Sequence, residues 1–331
     1  MAKRTRLLAD IGGTNARFAW QDGPGEPLRC VAVLACQDHP GLAEAARHWL
    51  TQNRLPMPES AAIAVACPVQ SDHIQLTNSH WSFSIQALKS ELGLNQLAVV
   101  NDFTALALAL PSIGPEHLRQ LGGTLEHPFS RRTPVALLGA GTGLGVSGLV
   151  PGAGSAWVPL SGEGGHISLA IHDEAQHRIW FALHQRFGHV SAERVLSGQG
   201  IVNIYASLVQ MNQGPGPGSS PSRATHWDMD PAAVTALALE QGDPTAIQAL
   251  LHFCRWLGGV AGDLALTLGA TGGVFVGGGI APRLGQFLEG SGFRAAFEDK
   301  GRFAAYLQAI PVWVIDTPTS AALQGAATLL D

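Results

Sequence analysis

Residues 7–20, LLADIGGTNARFAW, and residues 135–150, VALLGAGTGLGVSGLV, each place two apolar arms around a Gly-Thr core. Both patterns predict a strand, a tight turn and a returning strand. Superposing Gly13-Thr14 on Gly141-Thr142 aligns the arms. A hairpin repeated in two halves of one chain implies a duplicated lobe with a ligand held between the copies. Glycines let backbone amides approach an anion without a Cβ in the way. Thr14 and Asn15 add donors, and Asp10 is placed to attract a hydrated Mg²⁺. The turn therefore predicts a phosphate cradle. An ordinary glycine hairpin is the alternative, because Gly-Gly turns are common.

A chain of 331 residues has room for two lobes with separate cores. Hydrophobic residues at 46% and charged ones at 14% predict a globular protein. A net charge of −5, with no basic run beyond the short Lys3-Arg4 and Arg131-Arg132 pairs, leaves no footprint for nucleic acid or an anionic membrane. Cys30, Cys36, Cys67 and Cys254 make no C-x-x-C pattern, so the expected setting is a reducing cytoplasm without a disulfide framework. The apolar run after Arg6 breaks at Asp10, too early for a signal segment. The uncharged stretch 135–162 is interrupted by glycines and predicts buried strands and turns, not a membrane span.

Along the chain, apolar spacing predicts a helix within 39–55, a buried strand at 61–66, and a strand from 74 running into a polar turn at Thr77-Asn78. Ser84 is the expected N-cap of a helix to Leu92. The strand 97–100 ends in Asn101-Asp102 before a helix over 103–110. This pair reads either as a helix cap or as polar groups at the carboxyl end of a strand, where α/β folds bind ligands. Glu163 and His166 sit in a glycine-rich loop and could reach a polyhydroxylated ligand, or bind Zn²⁺ together with His172. Ser191 is expected to cap a helix with Glu193 as an acid in its first turn. The run 214–222 predicts a surface excursion, and 176–187, 232–239 and 244–268 predict helices, the last one buried. After a strand at 273–276, Gly277-Gly278-Gly279 permits close approach to a flat ligand, or is a packing turn. The charged and aromatic segment 293–303 reads as solvated, with contact to a second subunit as its other use. A strand at 311–315 and an Ala-rich helix at 320–330 complete the chain.

These motifs in combination resemble the bacterial glucokinases of the proteobacterial type, within the hexokinase and actin-like ATPase superfamily, from Leu7 to about Ile315. The resemblance implies an α/β, two-lobed actin-like (ribonuclease H-like) fold. A cleft would separate a small α/β domain, residues 1–112 plus 316–331, from a larger α+β domain, residues 113–315. It implies phosphorylation of glucose at the 6-hydroxyl by ATP, the first step of glycolysis, with Asp102 as the catalytic base. Asn101, Asp102, Gly143, Glu163, His166 and Glu193 would contact the sugar, joined by Thr77 and Asn78 from a loop over the hexose. Asp10, Ile11, Gly12, Gly13, Thr14, Gly141 and Thr142 would surround the phosphates, and Gly277, Gly278 and Gly279 would face the adenosine. Asp10 would hold Mg²⁺ through water. A homodimer is a candidate assembly, with neither nucleic acid nor membrane as partner. Three other readings share the fold: a kinase for another hexose, a chaperone- or actin-like ATPase without a sugar, and a sugar-responsive repressor of the ROK type, which needs a DNA-binding helix pair ahead of the first strand. None of the three lysines follows a glycine, so no P-loop is expected.

Overall fold

The first hairpin forms as its pattern predicts: Arg6–Ile11 (β1) pairs antiparallel with Asn15–Gln21 (β2). The computed structural model describes residues 5–77, 79–124, 128–213, 226–316 and 321–331. Asn78 and the excursion 214–222 therefore lie outside the described residues. The chain divides into two units, Met1–Gly114 with Leu149–Ser161 and Thr317–Asp331, and Pro115–Gly148 with Gly162–Asp316.

In the first unit, Arg29–Ala35 (β3), Ser60–Val65 (β4) and Gln96–Asn101 (β7) complete a five-stranded sheet of order β3-β2-β1-β4-β7. His73–Gln75 (β5) and Ser82–Ser84 (β6) form a separate hairpin that leads into Ile85–Glu91 (α2). Ser84 Oγ caps α2 by accepting from the Ala87 amide at 3.0 Å. β1, β4 and β7 run parallel, and β4 is buried on both faces, which explains its unbroken apolar sequence. Alternation on β1 separates two cores. Leu7, Ala9 and Ile11 pack with Trp49 and Leu50 of Leu42–Gln52 (α1), whereas Leu8 packs with Ala105 of Asp102–Ala109 (α3) and with Leu323. Asp10 follows Leu8 on this second side of the sheet.

The second unit contains Leu118–Gln120 (β8), Val135–Ala140 (β9) and Leu144–Pro151 (β10), the last running on into the first unit's stretch, which also holds Trp157–Ser161 (β11). Val274–Gly277 (β12) lies between β9 and Val312–Ile315 (β13), parallel to both, and β8 pairs antiparallel with β13. Its helices begin with Glu174–Phe187 (α4), Gly198–Gln213 (α5), Pro231–Leu239 (α6) and Pro244–Leu268 (α7). Ala281–Leu284 (α8), Gln286–Gly290 (α9), Phe293–Glu298 (α10) and Ala304–Ala309 (α11) follow. α7 starts at an Asp243 cap over Pro244 and ends at Gly269 in the left-handed conformation, φ 60°. It is the buried axis of this unit. Among the described residues no helix is long and apolar enough to cross a membrane.

Two expectations are corrected here. The segment 293–303 is not simply solvated: Phe293 and Phe297 are buried, and Arg294 donates to the Ile310 and Leu307 carbonyls at 2.8 and 2.9 Å. Lys300 is nearly buried against Asp263 at 2.7 Å. Gly258 and Gly262 of α7 are what admit this helix, since a Cβ there would lie 2.1 Å from the Phe293 carbonyl oxygen and 2.4 Å from that of Phe297. Phe293 and Phe297 recur at helical spacing within a run of charged residues, which lowers the apparent hydrophobicity of the segment.

The second correction concerns the repeat. The strand ends leave three residues in each turn, 12–14 and 141–143. The turns also close differently, Gly12 N–H donating to Asn15 O at 2.9 Å and Gly141 N–H to Gly143 O at 2.8 Å.

The chain returns to the first unit with Ala321–Ala327 (α12), which packs on α3 at Gly325, where a Cβ would lie 1.8 Å from the Ala105 oxygen. Arg6, buried on β1, donates to Leu330 O at 3.1 Å and pairs with Asp331 at 2.8 Å.

Candidate functional site

In the first unit the candidate residues gather at the carboxyl ends of the parallel strands. The register aligns Ile11 with Val65 and Val65 with Asn101, so Asp10 and Asn101 stand two strands apart, about 10 Å. Asn101 caps α3: its Oδ1 accepts from the Phe103 and Thr104 amides at 2.9 and 3.3 Å, while its Nδ2 donates to Cys67 O at 3.4 Å. The cap reading of Asn101 is observed, and the same bonds fix its side chain at the end of β7.

Asp102 opens α3, and its Oδ1 accepts from the Phe103 amide at 2.9 Å. Burial pushes its carboxyl up to about 6, opposed by the Phe103 amide and assisted by the negative charge of Asp10. A carboxylate poised near neutrality can take a proton from a hydroxyl that is losing it. Asp10 is itself raised by burial, against the lowering effect of Arg17, whose Nη1 donates to Asp10 Oδ2 at 3.1 Å. Sequence reading did not single out Arg17. Its position opposite Asp10 in a two-residue-period hairpin was the available signal.

The first turn is anchored by Cys36, whose amide donates to Thr14 O at 2.8 Å and whose thiol lies 3.7 Å from Gly12 O. Ile11 is fully buried, so only its backbone can serve a ligand, and its carbonyl accepts from Ala66 at 3.0 Å. Gly13 is half-buried and Thr14 exposed at the tip. Thr77 is exposed in the turn after β5.

In the second unit the other candidates converge on the 141–144 turn. The Leu144 amide donates to Glu193 Oε2 at 2.9 Å. A Cβ at Gly143 would lie 2.5 Å from that oxygen, so a side chain there would push the Glu193 carboxylate aside. Glu193 is in a single 3-10 turn, Ala192–Arg194, and Ser191 makes no side-chain cap. This corrects the expectation of a capped helix: the carboxylate turns toward the glycine loop. The Glu163–His166 loop docks on the same strand, with a Cβ at Gly165 falling 2.2 Å from Leu144 O. A Ser168–Ser191 bridge and the Ala192 amide on Ile167 O at 2.9 Å tie it to the Glu193 segment. Glu163 and His166 are both exposed.

Gly277 pairs with Gly139 in the β12–β9 ladder and is buried. Gly278, φ +77°, lies against β9 so closely that a Cβ would be 2.3 Å from Ala140 O, whereas a Cβ at Gly279 would meet open space. The Ile280 amide then bonds Ala140 O at 3.2 Å. The triple glycine packs over the end of β9 and leaves Gly279 exposed beside the 141–143 turn.

For Mg²⁺ the available chemistry is one partly exposed carboxylate, Asp10, held at one oxygen by Arg17. That suits a hard ion bound through one carboxylate, waters and substrate phosphates. Among the described residues no three His, Cys, Asp or Glu side chains form a group that could hold a metal ion, so Glu163, His166 and His172 do not assemble a zinc site.

The profile of the family described as Glucokinase matches residues 7–331. The chain belongs to the glucokinase family. The glucokinase of Aromatoleum aromaticum is 48% identical over 98% of this chain and 94% of its own length. The crystal structure of a glucokinase from an Antarctic psychrotroph superposes with a TM-score of 0.84 at 34% identity, covering 99% of this chain and 98% of that one. A ROK family glucokinase from Streptomyces griseus, solved with glucose and AMPPNP, shares the fold at a TM-score of 0.64 and 20% identity, over 98% of each chain. The two-lobed actin-like kinase fold and the enzyme class follow from these relatives.

Proposed function

We propose that this member of the glucokinase family transfers the γ-phosphoryl group of ATP to the 6-hydroxyl of glucose, giving glucose 6-phosphate and ADP. The observation that carries the reading to the chemistry is Asp102, a carboxylate raised to about 6 at the mouth of α3 beside the fixed Asn101. Asn101 orients a sugar hydroxyl. Asp102 orients the 6-hydroxyl and accepts its proton as the bond to phosphorus forms. The transition state of phosphoryl transfer is loose, so holding the nucleophile in line contributes more than the strength of the base. Glu163, His166 and Glu193 supply charged and polar groups for the remaining hydroxyls, with Gly143 beside them and Thr77 and Asn78 as further contacts.

The amides and small residues of the two glycine turns, 12–14 and 141–142, surround the phosphates, and Gly279 with its neighbours Gly277 and Gly278 borders the adenosine. Mg²⁺ held by Asp10 through water would neutralise the phosphate charge, for which neither turn contributes a lysine. This kinase would work in the cytoplasm at the entry to glycolysis; its four cysteines form no disulfide among the described residues. A homodimer is the assembly we assign it, checked by light scattering on a sizing column.

ADP release measured against a panel of hexoses tests the reading. Glucose should be the preferred acceptor, glucose 6-phosphate the product, and exhaustive chelation of divalent ions should stop turnover. A nucleotide-only ATPase would release ADP at the same rate without sugar.

A further inference from the structure

Glu193 reaches the 141–144 turn with its side chain, and the chain that follows it returns to the same turn with its backbone. At one end of the turn the Leu144 amide donates to Glu193 Oε2 at 2.9 Å. At the other end the Gly198 amide donates to Gly141 O at 2.8 Å. Residues 193–198 therefore clasp the turn at both ends, and whatever holds the shape of this segment also holds the Glu193 carboxylate against the turn.

Ser197 holds that shape. It is 4% exposed and lies between the fully buried Leu196 and the first residue of α5. Its hydroxyl accepts from the Gly200 amide at 3.0 Å and donates to Glu193 O at 2.9 Å. The bond to Gly200 is that of a helix N-cap. The bond to Glu193 is an additional one, reaching back four residues to the backbone of the residue whose side chain meets Leu144. A capping hydroxyl can leave its proton to water, but a buried one needs an acceptor inside the protein, and here that acceptor is the Glu193 carbonyl. Gly200 permits the close return, because a Cβ there would lie 2.4 Å from the Val195 carbonyl carbon.

We propose that Ser197 is a positioning residue for phosphoryl transfer, holding Glu193 in register with the 141–143 turn. The proposal rests on the assignment of Glu193 to the sugar and of that turn to the phosphates. Without the hydroxyl, the Glu193 carbonyl loses its partner and the segment 193–197 shifts, carrying the carboxylate off the Leu144 amide. A displacement of about 1 Å away from the reacting groups is enough to lower a rate by up to about a hundredfold.

kcat/KM for glucose at saturating ATP, measured on variants of the full chain, tests this. Ser197→Ala should lower it at least about fivefold. Ser197→Gly also lacks the hydroxyl but remains an acceptable N-cap, so it should show the same loss with a melting temperature closer to the wild type. In a Glu193→Ala background, Ser197→Ala should change kcat/KM by no more than about twofold, because it acts through Glu193. Ser84→Ala removes a cap of the same kind from α2 and should lower the melting temperature while leaving kcat/KM at the wild-type value. The proposal is overturned if Ser197→Ala and Ser197→Gly both keep wild-type kinetics, if the losses of Ser197→Ala and Glu193→Ala multiply, or if Ser84→Ala loses as much as Ser197→Ala. Wild-type kinetics in Glu193→Ala would overturn the assignment of Glu193 to the sugar and this proposal with it, whereas a loss in Glu193→Ala with none in the Ser197 variants overturns this proposal alone.

Discussion

Arg17 stands directly opposite Asp10 in the β1–β2 ladder and donates to its carboxylate at 3.1 Å. The pair joins two requirements that oppose each other. In the role proposed for it Asp10 must be ionised to attract a cation, yet burial favours its neutral form, and Arg17 is the group that counters burial. Arg17→Gln is therefore expected to raise the Mg²⁺ concentration for half-maximal rate several-fold, while the KM for glucose changes little. A titration of rate against Mg²⁺ at saturating ATP and glucose reads this. An unchanged Mg²⁺ requirement would remove Asp10 from the metal's surroundings.

Asp102 predicts a pH dependence of both rate and stability. Its carboxyl sits at about 6, against 3.8 for the unperturbed group, burial being the first cause and the charge of Asp10 a further one. As the proposed base it must be ionised, so kcat/KM for glucose should rise with pH through an apparent pKa near 6. The stability linkage has the opposite sign. Between pH 3.8 and about 6 the native state binds more protons than the unfolded one, so stability falls as pH rises across that window. Above it the ionised group costs on the order of 1–3 kcal/mol. Asp102→Asn should then lower kcat by at least about a hundredfold and yet melt higher than wild type, by more at pH 8 than at pH 5. Loss of activity together with a lower melting temperature at pH 8 would mean that the residue is structural.

How much of this was legible in the sequence depends on the range of the interaction. The two glycine hairpins, the Ser84 cap and the Asn101-Asp102 strand end are local patterns, fixed by period and by cap chemistry within a few residues. The partner of Glu193 was not legible, because Leu144 lies 49 residues away and nothing in a helix-start acid says which backbone amide it will meet. Nor was the burial of 293–303, since charge lowers the apparent hydrophobicity of a segment whose Phe293 and Phe297 pack onto glycines far upstream. The different closure of the two turns escaped for a simpler reason: both contain Gly-Thr, and only their hydrogen bonds tell them apart.

The glycines of α7 give a stability prediction without a functional one. Gly258 and Gly262 admit α10 so closely that a Cβ would meet the Phe293 and Phe297 carbonyls at 2.1 and 2.4 Å. In an exposed helix Gly→Ala stabilises by up to about 1 kcal/mol. Here overpacking should reverse the sign, with Gly258→Ala and Gly262→Ala each destabilising by about 1–3 kcal/mol or more. Urea midpoints measure it. Variants of unchanged or higher stability would mean that α10 can move away at no cost.

Glu193 and Gly143 should act as one unit. Glu193 Oε2 accepts the Leu144 amide at 2.9 Å and occupies the space where a Cβ at Gly143 would stand, at 2.5 Å. Gly143→Ala must therefore displace the carboxylate, and its kinetic effect should be that of losing Glu193 from its place. We expect Gly143→Ala and Glu193→Ala each to lower kcat/KM for glucose by at least about tenfold, which corresponds to roughly 1.4 kcal/mol. Once Glu193 is gone, the alanine meets nothing. The double variant should then fall no more than about threefold below Glu193→Ala alone, a coupling well outside the additivity of independent sites. Losses that simply multiply would instead show that Gly143 is needed for its own contact with the substrates, whether or not the carboxylate is present.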